Sequence, residues 1–281
     1  MSKSRAIERP VRTWITKAAM LLVMKLMALA AASFLVAAPV GAQTFDHSRF
    51  DELLKKHVVK GMVDYDAFTQ AGSLKEYLES LEHADVARLA DRERLAFWIN
   101  AYNAYTIALI NKYEERGSIK NIAEGIGFER AQGAWKQPIV QAGGKTYTLD
   151  EVENEIVRKQ FREPRIHFAL VCAAMSCPPL RSEAYTGAKL EAQLDSQARN
   201  FILDEARGSR VDVKKGVVHA SRIFDWYKDD FGGNDAAIGR FIAQYHGDSP
   251  EKHLLLDGHF KMEYLDYDWT LNSRYLARLK G

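Results

Sequence analysis

Sulfur is scarce in this chain, and so are the sequence signatures of several common kinds of enzyme. Only two of the 281 residues are cysteine, and both lie in the segment 165–181 (RIHFALVCAAMSCPPLR). The sequence contains no glycine-rich phosphate loop, no serine nucleophile elbow and no metalloprotease helix motif. It also contains no basic stripe with interleaved aromatic residues, so we do not expect nucleic acid as a partner. Any sulfur chemistry is therefore confined to one short segment.

Long apolar runs are also missing from most of the chain. A basic leader is followed by the uncharged residues 26–38, a run of 13 that is too short to span a bilayer comfortably. Val40, Gly41 and Ala42 then occupy the positions that a signal peptidase reads. These features predict a signal peptide over residues 1–42, with a retained N-terminal anchor as the alternative. We expect a periplasmic or secreted protein without a transmembrane segment after removal of the signal peptide.

Removal of residues 1–42 changes the charge balance. The whole chain carries 39 basic and 37 acidic residues, a net charge of +2. The leader holds six basic residues and one acidic residue, so the remaining 239 residues have a net charge of −3. This length is sufficient for one large domain over residues 43–281. We find no linker, repeat or low-complexity tract within it.

The pattern of apolar residues predicts a helix-rich α+β domain with a small, mainly antiparallel sheet. The longest predicted helix covers residues 91–116 and is apolar on more than one side. Residues 138–149 alternate around Gly143 and Gly144, as in a hairpin, and Thr148 and Glu151 match a capping box that begins a helix. Further helices are predicted near residues 188–206, 223–231, 236–245 and from Pro250, with a second hairpin over 211–219. Because the strands do not alternate regularly with helices, a doubly wound sheet is not expected.

The cysteine segment combines a base and two thiols. Residues 166–171 are predicted to form a buried strand that ends in a turn at Pro178 and Pro179. A thiolate becomes an effective nucleophile when a neighbouring base lowers its pKa, and His167 is the candidate base. In a regular strand, residues 167 and 172 would face opposite sides. Cys177 is therefore the preferred nucleophile and Cys172 the second choice, with Asn100 or Asp225 orienting the imidazole.

Two other roles for the cysteines remain open. A Cys172–Cys177 disulfide is the leading alternative, since two cysteines of an exported protein usually pair. Buried, unreactive thiols are another. A zinc site with His167, both cysteines and either His57 or His219 is disfavoured, because five-residue gaps do not match the spacing of structural zinc sites. No metal and no cofactor are expected.

Aromatic and amide side chains form a second group of candidates. Asn100 and Asn103 lie one turn apart on the longest predicted helix, close to Tyr102. Trp226 and Trp269 follow aspartates in two Asp–Trp pairs that are suited to a carbohydrate or peptide groove, or to a structural corner. Arg181 is a candidate for binding a carboxylate or phosphate. The predicted ligand-binding residues are Tyr102, Asn103, Arg181, Trp226 and Trp269.

Several segments resemble the domain of unknown function 547 family. They are residues 97–104 (FWINAYNA), 149–154 (LDEVEN), 167–170 (HFAL), 176–179 (SCPP), 224–231 (FDWYKDDF) and 267–272 (YDWTLN). They occur in the family's order from about Phe50 to Asn272. The resemblance implies a fold similar to papain-like and transglutaminase-like cores. Papain-like enzymes, however, place the nucleophile before the histidine in the chain, whereas His167 comes first here.

The sequence leaves two functions open. The favoured one is a binding module for an unidentified ligand or protein of the cell envelope. The alternative is a thiol-dependent hydrolase or transferase that acts on amide or peptide bonds, with the cysteine and histidine roles given above.

The signal peptide can be tested by sequencing the N-terminus of the exported protein. We expect Gln43 as the first residue, because the small residues before it fit the peptidase. An exported protein that begins at Met1 would contradict the predicted cleavage.

Overall fold

The fold is organised around one long buried helix. The computed structural model describes residues 43–70, 72–122 and 133–276, so the predicted signal peptide lies outside the described residues. Helix α4, Asp91–Lys112, is buried from Leu95 to Ile110 at every position except Ala108. A helix that is apolar on all sides belongs in the middle of a core. It ends four residues earlier than predicted, because Glu114 takes a left-handed conformation with φ 49°.

The N-terminal helices pack on one side of α4. They are α1, Ser48–His57, α2, Tyr65–Gln70, and α3, Gly72–Glu82. The short strands β1, Val58–Val59, and β2, Met62–Val63, form an antiparallel pair between α1 and α2. The buried side chains of these helices belong to the same large hydrophobic cluster as those of α4.

The predicted hairpin and capping box are both confirmed. Strands β3, Pro138–Ala142, and β4, Lys145–Thr148, pair in antiparallel fashion. The Thr148 amide donates to the Glu151 carboxylate at 2.7 Å, and the Glu151 amide donates to the Thr148 hydroxyl at 3.0 Å. This reciprocal cap starts a helix that is π-helical over Glu151–Arg158 and continues as a short α-helical turn, Lys159–Phe161.

The C-terminal part forms a second, smaller hydrophobic cluster. Its strands are β5, Ser209–Asp212, β6, Val217–Ala220, and β7, Lys261–Tyr264; β6 pairs antiparallel with β5 and parallel with β7. Its helices are α5, Leu190–Ile202, α6, Arg222–Trp226, α7, Asp235–Ala243, and α8, Pro250–Asp257, with a 3₁₀ turn at Lys228–Phe231. The α+β class with small, mainly antiparallel sheets is thus confirmed.

The strand predicted over residues 166–171 is wrong. Residues Pro164–Phe168 form a 3₁₀ helix instead. The Glu163 carboxylate caps this helix by accepting from the Arg165 amide at 3.0 Å, and Pro164 occupies its first turn. These local signals override the apolar run. As a result, Ile166 packs into the larger cluster and Phe168 into the smaller one, which holds His167 at the boundary between them.

Two asparagines of α4 fasten neighbouring loops to the helix. Asn103 donates to the Ala169 carbonyl at 2.9 Å and accepts from the Val171 amide at 2.9 Å. Asn100 donates to the Tyr185 carbonyl at 2.7 Å and accepts from the Tyr185 amide at 2.9 Å. Both amides are almost fully buried and are satisfied by backbone. Both amides therefore act as structural clamps in the unliganded protein, and ligand binding by Asn103 stays a prediction.

The Asn103 clamp should contribute strongly to stability. Asn103→Ala would leave the Ala169 carbonyl and the Val171 amide buried without partners, so we expect the free energy of unfolding to fall by about 3 kcal/mol. Urea unfolding measures this loss. The exposed Asn200 on α5 provides the control, and Asn200→Ala should change stability by less than about 0.5 kcal/mol. Equal effects of the two substitutions would contradict the clamp.

Candidate functional site

A cleft of about 210 Å³ brings the thiols and the histidine together with a group of aromatic rings. Its polar lining comes from Asp150, Glu153, Asn154, His167, Cys172 and Cys177. Its aromatic lining comes from Tyr102, Trp135, Trp226, Tyr227, Tyr267 and Trp269, and Leu170 and Ile223 complete it. Since residues 166–171 are not a strand, the alternation expected between His167 and Cys172 does not apply, and both reach the same cleft.

Cys172 is surrounded by hydrogen-bond donors. Its sulfur lies 2.7 Å from Cys177 Sγ and 3.1 Å from the Tyr267 hydroxyl, and the Ala174 amide also donates to it. The Cys172 amide in turn donates to Cys177 Sγ at 2.9 Å. Both cysteines are free thiols in the structure, with Cys172 partly exposed and Cys177 buried. Their pairing as a disulfide stays a prediction.

The donors around Cys172 make it the more acidic thiol. The close contact with Cys177, followed by the hydrogen bonds with Tyr267 and Ala174, lowers the pKa of Cys172 against the opposing effect of burial. Burial raises the pKa of Cys177 well above its usual value. Burial likewise raises the pKa of Tyr267, which keeps this hydroxyl protonated as a donor. Cys172 is therefore the candidate nucleophile, in place of the Cys177 that the sequence favoured.

A strained residue follows this thiol. Ala173 has φ 60°, a left-handed conformation that costs an alanine free energy. The chain turns at this point so that the Ala174 amide approaches the Cys172 sulfur. Surrounding contacts hold the turn: Ala173 is buried, and its carbonyl accepts from the Asn272 amide at 3.0 Å. Strain of this kind clusters at functional sites, and here it shapes the surroundings of the thiol.

His167 is oriented by a carboxylate and by a stacked ring. Its Nε2 donates to Asp230 Oδ2 at 2.6 Å, and the Tyr227 ring stacks on the imidazole with 3.9 Å between centroids. Arg158 holds Asp230 through two hydrogen bonds, at 2.6 and 3.0 Å. The hydrogen bond from His167, and then the one from Arg158, keeps the pKa of Asp230 well below its usual range. The imidazole is thus fixed in one orientation, with its proton on the Asp230 side.

The second ring nitrogen of His167, Nδ1, is not engaged in the way that Nε2 is. Nδ1 is buried and makes no hydrogen bond to any described residue. Glu153 Oε1 lies 4.0 Å from it. The Glu153 carboxylate accepts from Tyr102 at 3.2 Å and also from the Tyr227 hydroxyl, which burial keeps protonated by raising its pKa. A histidine with one nitrogen oriented and the other unpartnered is in the arrangement of a general base.

Of the other predicted site residues, some line the cleft and some do not. Tyr102, Trp226 and Trp269 line the cleft, and their role in binding a ligand stays a prediction. Asn100 and Asp225 do not reach the imidazole. Asn100 is engaged by the backbone of Tyr185, and Asp225, which does not line the cleft, accepts from Arg222 at 3.2 Å.

Arg181 lies in a different cleft. It pairs with Glu183 and donates to the Ser196 hydroxyl at 2.9 Å. It does not line the cleft that holds the two tryptophans, and its role in binding a carboxylate or phosphate stays a prediction.

Sequence reasoning did not connect His167 with the two carboxylates nearest to it. Asp230 lies in the segment 224–231 and Glu153 in the segment 149–154, so both carboxylates belong to motifs that the sequence analysis identified. Nothing in the spacing of these motifs connected them with His167. Tyr267 and Trp135 were missed in the same way. Among the described residues, no group of three or more His, Cys, Asp or Glu side chains is arranged to hold a metal ion. No helix of the described part is both long and apolar enough to cross a membrane.

The hydrogen bond from Tyr267 gives a direct test of the thiol's surroundings. Tyr267→Phe removes one donor to the Cys172 sulfur, so the pKa of Cys172 should rise. At a given pH below this pKa, a smaller fraction is then thiolate. The midpoint of the pH profile for alkylation of Cys172 by iodoacetamide, followed by mass spectrometry, should move upward. The exposed Tyr275 is the control, and an unchanged midpoint in Tyr267→Phe would contradict the hydrogen bond's role.

Comparison with known proteins supports the resemblance seen in the sequence. No curated protein and no solved structure matches the chain, so the expected likeness to papain-like and transglutaminase-like cores stays a prediction. Residues 86–202 match the model of a family described as "Protein of unknown function, DUF547". This range includes His167, both cysteines and Glu153, whereas residues 224–231 and 267–272 lie beyond it. Over this range, which is less than half of the chain, the sequence is therefore similar to the DUF547 family.

Proposed function

We propose that this protein is a thiol-dependent enzyme that transfers or hydrolyses acyl groups of amide or peptide bonds, with Cys172 as nucleophile and His167 as base. One observation carries the proposal. A thiol of lowered pKa lines the same cleft as a histidine whose Nε2 is held by Asp230 and whose Nδ1 has no partner. A nucleophile, a base and an orienting carboxylate are the three parts that acyl transfer of this kind requires.

The reaction would proceed in two steps. Once substrate has brought the two side chains together, Cys172 transfers its thiol proton to His167 Nδ1. The resulting thiolate attacks the substrate carbonyl carbon, and the C–S bond forms as the C=O π electrons move onto the oxygen. His167, protonated at Nδ1, gives that proton to the leaving nitrogen as the C–N bond breaks. Water or another nucleophile then attacks the thioester while His167 takes up its proton, and Cys172 leaves as thiolate. Substrate must bring the imidazole and sulfur together, since neither sulfur is hydrogen-bonded to Nδ1 in the unliganded protein.

The surrounding residues would support each partner. Asp230, which is hydrogen-bonded to Arg158, stabilises the imidazolium that forms during the reaction. Because it binds Nε2, it also keeps Nδ1 on the side of the ring that faces away from Asp230. Tyr267, Cys177 and the Ala174 amide stabilise the thiolate of Cys172, both before attack and when it leaves. Cys177 supports catalysis in this scheme and does not attack the substrate.

A binding module of the cell envelope is the second candidate. Its support is the cluster of aromatic rings in the cleft, where Trp226, with 47% of its surface exposed, stacks on Trp269 with 5.7 Å between centroids. An enzyme is favoured over a pure binding module, because binding gives no reason for a lowered thiol pKa beside an oriented histidine. Action in the periplasm or outside the cell is part of the proposal and rests on the predicted signal peptide.

A burst experiment with p-nitrophenyl acetate tests the catalytic proposal. The reduced protein should release nitrophenolate in a burst stoichiometric with the enzyme and carry one acetyl group on Cys172. Cys172→Ala should abolish the burst, and His167→Gln should slow it about 100-fold, since general acid–base catalysis contributes at least that much. Cys177→Ala should slow the burst without abolishing it.

The variants must be shown to fold, by circular dichroism and urea unfolding. A folded Cys172→Ala protein that keeps the burst, or acetyl groups found only on surface lysines, would overturn the proposal. Binding of a ligand to a wild-type protein that shows no burst would favour the second candidate.

A further inference from the structure

The aromatic residues of the cleft come from three separate parts of the chain and meet at its mouth. Tyr267 lies 4.8 Å from Trp226 and 4.7 Å from Trp269, measured between ring centroids. Trp135 meets Trp269 edge-on at 6.0 Å. Large indole rings are normally buried in a core, yet Trp226 keeps 47% of its surface exposed. Rings gathered at an opening in this way are available to a ligand.

The charged side chains that line the cleft are of one sign. The cleft is lined by the carboxylates of Asp150 and Glu153, and no lysine or arginine is among its lining residues. Lys136 pairs with Asp150 at 2.5 Å. Glu153 is 7% exposed, accepts hydrogen bonds from two tyrosine hydroxyls, and forms no ion pair with a lysine or arginine among the described residues. Its nearest basic group is Nδ1 of His167, at 4.0 Å. A buried carboxylate without a cationic partner favours the binding of a positive group nearby.

Two aromatic rings of the cleft, those of Trp269 and Tyr227, already interact with cations of the protein itself. Lys120 Nζ lies 5.1 Å from the centroid of Trp269, and the guanidinium carbon of Arg158 lies 5.1 Å from the centroid of Tyr227. The negative faces of these rings therefore attract positive charge in their present orientation. Lys120 and Arg158 are not among the residues that line the cleft, so its interior is left to a ligand.

We propose that the cleft binds an alkylammonium group, held by the Trp226, Tyr267 and Trp269 rings and by the charge of Glu153. This proposal rests on the proposed function, because the alkylammonium group identifies the class of substrate on which the thiol enzyme acts. The binding step itself does not require the thiol. The group can belong to a small quaternary amine or to the side chain of a lysine in a peptide, since both present the same charge to the rings.

Choline and its neutral isostere 3,3-dimethyl-1-butanol separate charge from shape. Each is added to the reduced protein, and binding is followed by tryptophan fluorescence and by protection of Cys172 from iodoacetamide. We expect choline to bind at least tenfold more tightly than the isostere, which is about 1.4 kcal/mol and within the range of desolvated cation–π contacts. Nα-acetyl-lysinamide is the second cationic probe, and its affinity relative to choline tells which source of the ammonium group the cleft prefers.

Variants test the residues assigned to the site. Trp226→Leu keeps an apolar side chain but removes the π face, and Glu153→Gln removes the charge; each should weaken choline binding at least fivefold. Tyr275→Leu, at an exposed site away from the cleft, should leave it unchanged. The comparison of the two probes on wild-type protein remains decisive if a variant fails to fold.

Three outcomes would overturn the proposal: equal affinities for choline and the isostere, binding of neither, or binding of a neutral disaccharide in preference to all cationic probes. The p-nitrophenyl acetate burst is measured on the same protein. A burst without choline binding rejects only the alkylammonium site, and choline binding without a burst rejects only the thiol enzyme.

Discussion

Two hydrogen bonds from one buried asparagine connect the central helix to the segment that carries the candidate site. Asn103 holds the Ala169 carbonyl and the Val171 amide, which stand between His167 and Cys172 in the chain. The amide has a donor and an acceptor side by side, so it can satisfy both backbone groups at once. Because α4 is buried almost all round, this clamp gives the loop a rigid support. The positions of the histidine and of the thiol both depend on it.

The surroundings of the thiol have an energetic cost that other contacts offset. A left-handed alanine, a buried thiol pair and a buried glutamate are each unfavourable on their own. Backbone hydrogen bonds to Asn272, hydroxyl donors from three tyrosines and the Arg158–Asp230 pair compensate for them. Arrangements of this kind are expected where a side chain must be reactive, and they have no purpose in a core that only needs to be stable.

Local patterns predicted much of the fold but not the site's geometry. The 138–149 hairpin and the Thr148–Glu151 capping box depend on residues close in sequence, so their prediction was correct. The predicted 166–171 strand failed, because capping by Glu163 and Pro164 outweighed an apolar run that fits either a strand or a buried turn. Asp230 lies 63 residues from His167, and contacts over such separations leave no local signal. The same reason explains why Asn100 and Asp225 were assigned to the histidine.

The central claim is that Cys172 is an activated thiol in the folded protein. The most direct measurement is the pH dependence of its alkylation, residue by residue, in the reduced native protein and in the same protein unfolded in urea. We expect the midpoint for Cys172 to lie below its unfolded value of about 8.5, and Cys177 to react more slowly at every pH. A native midpoint for Cys172 at or above the unfolded one would contradict this claim.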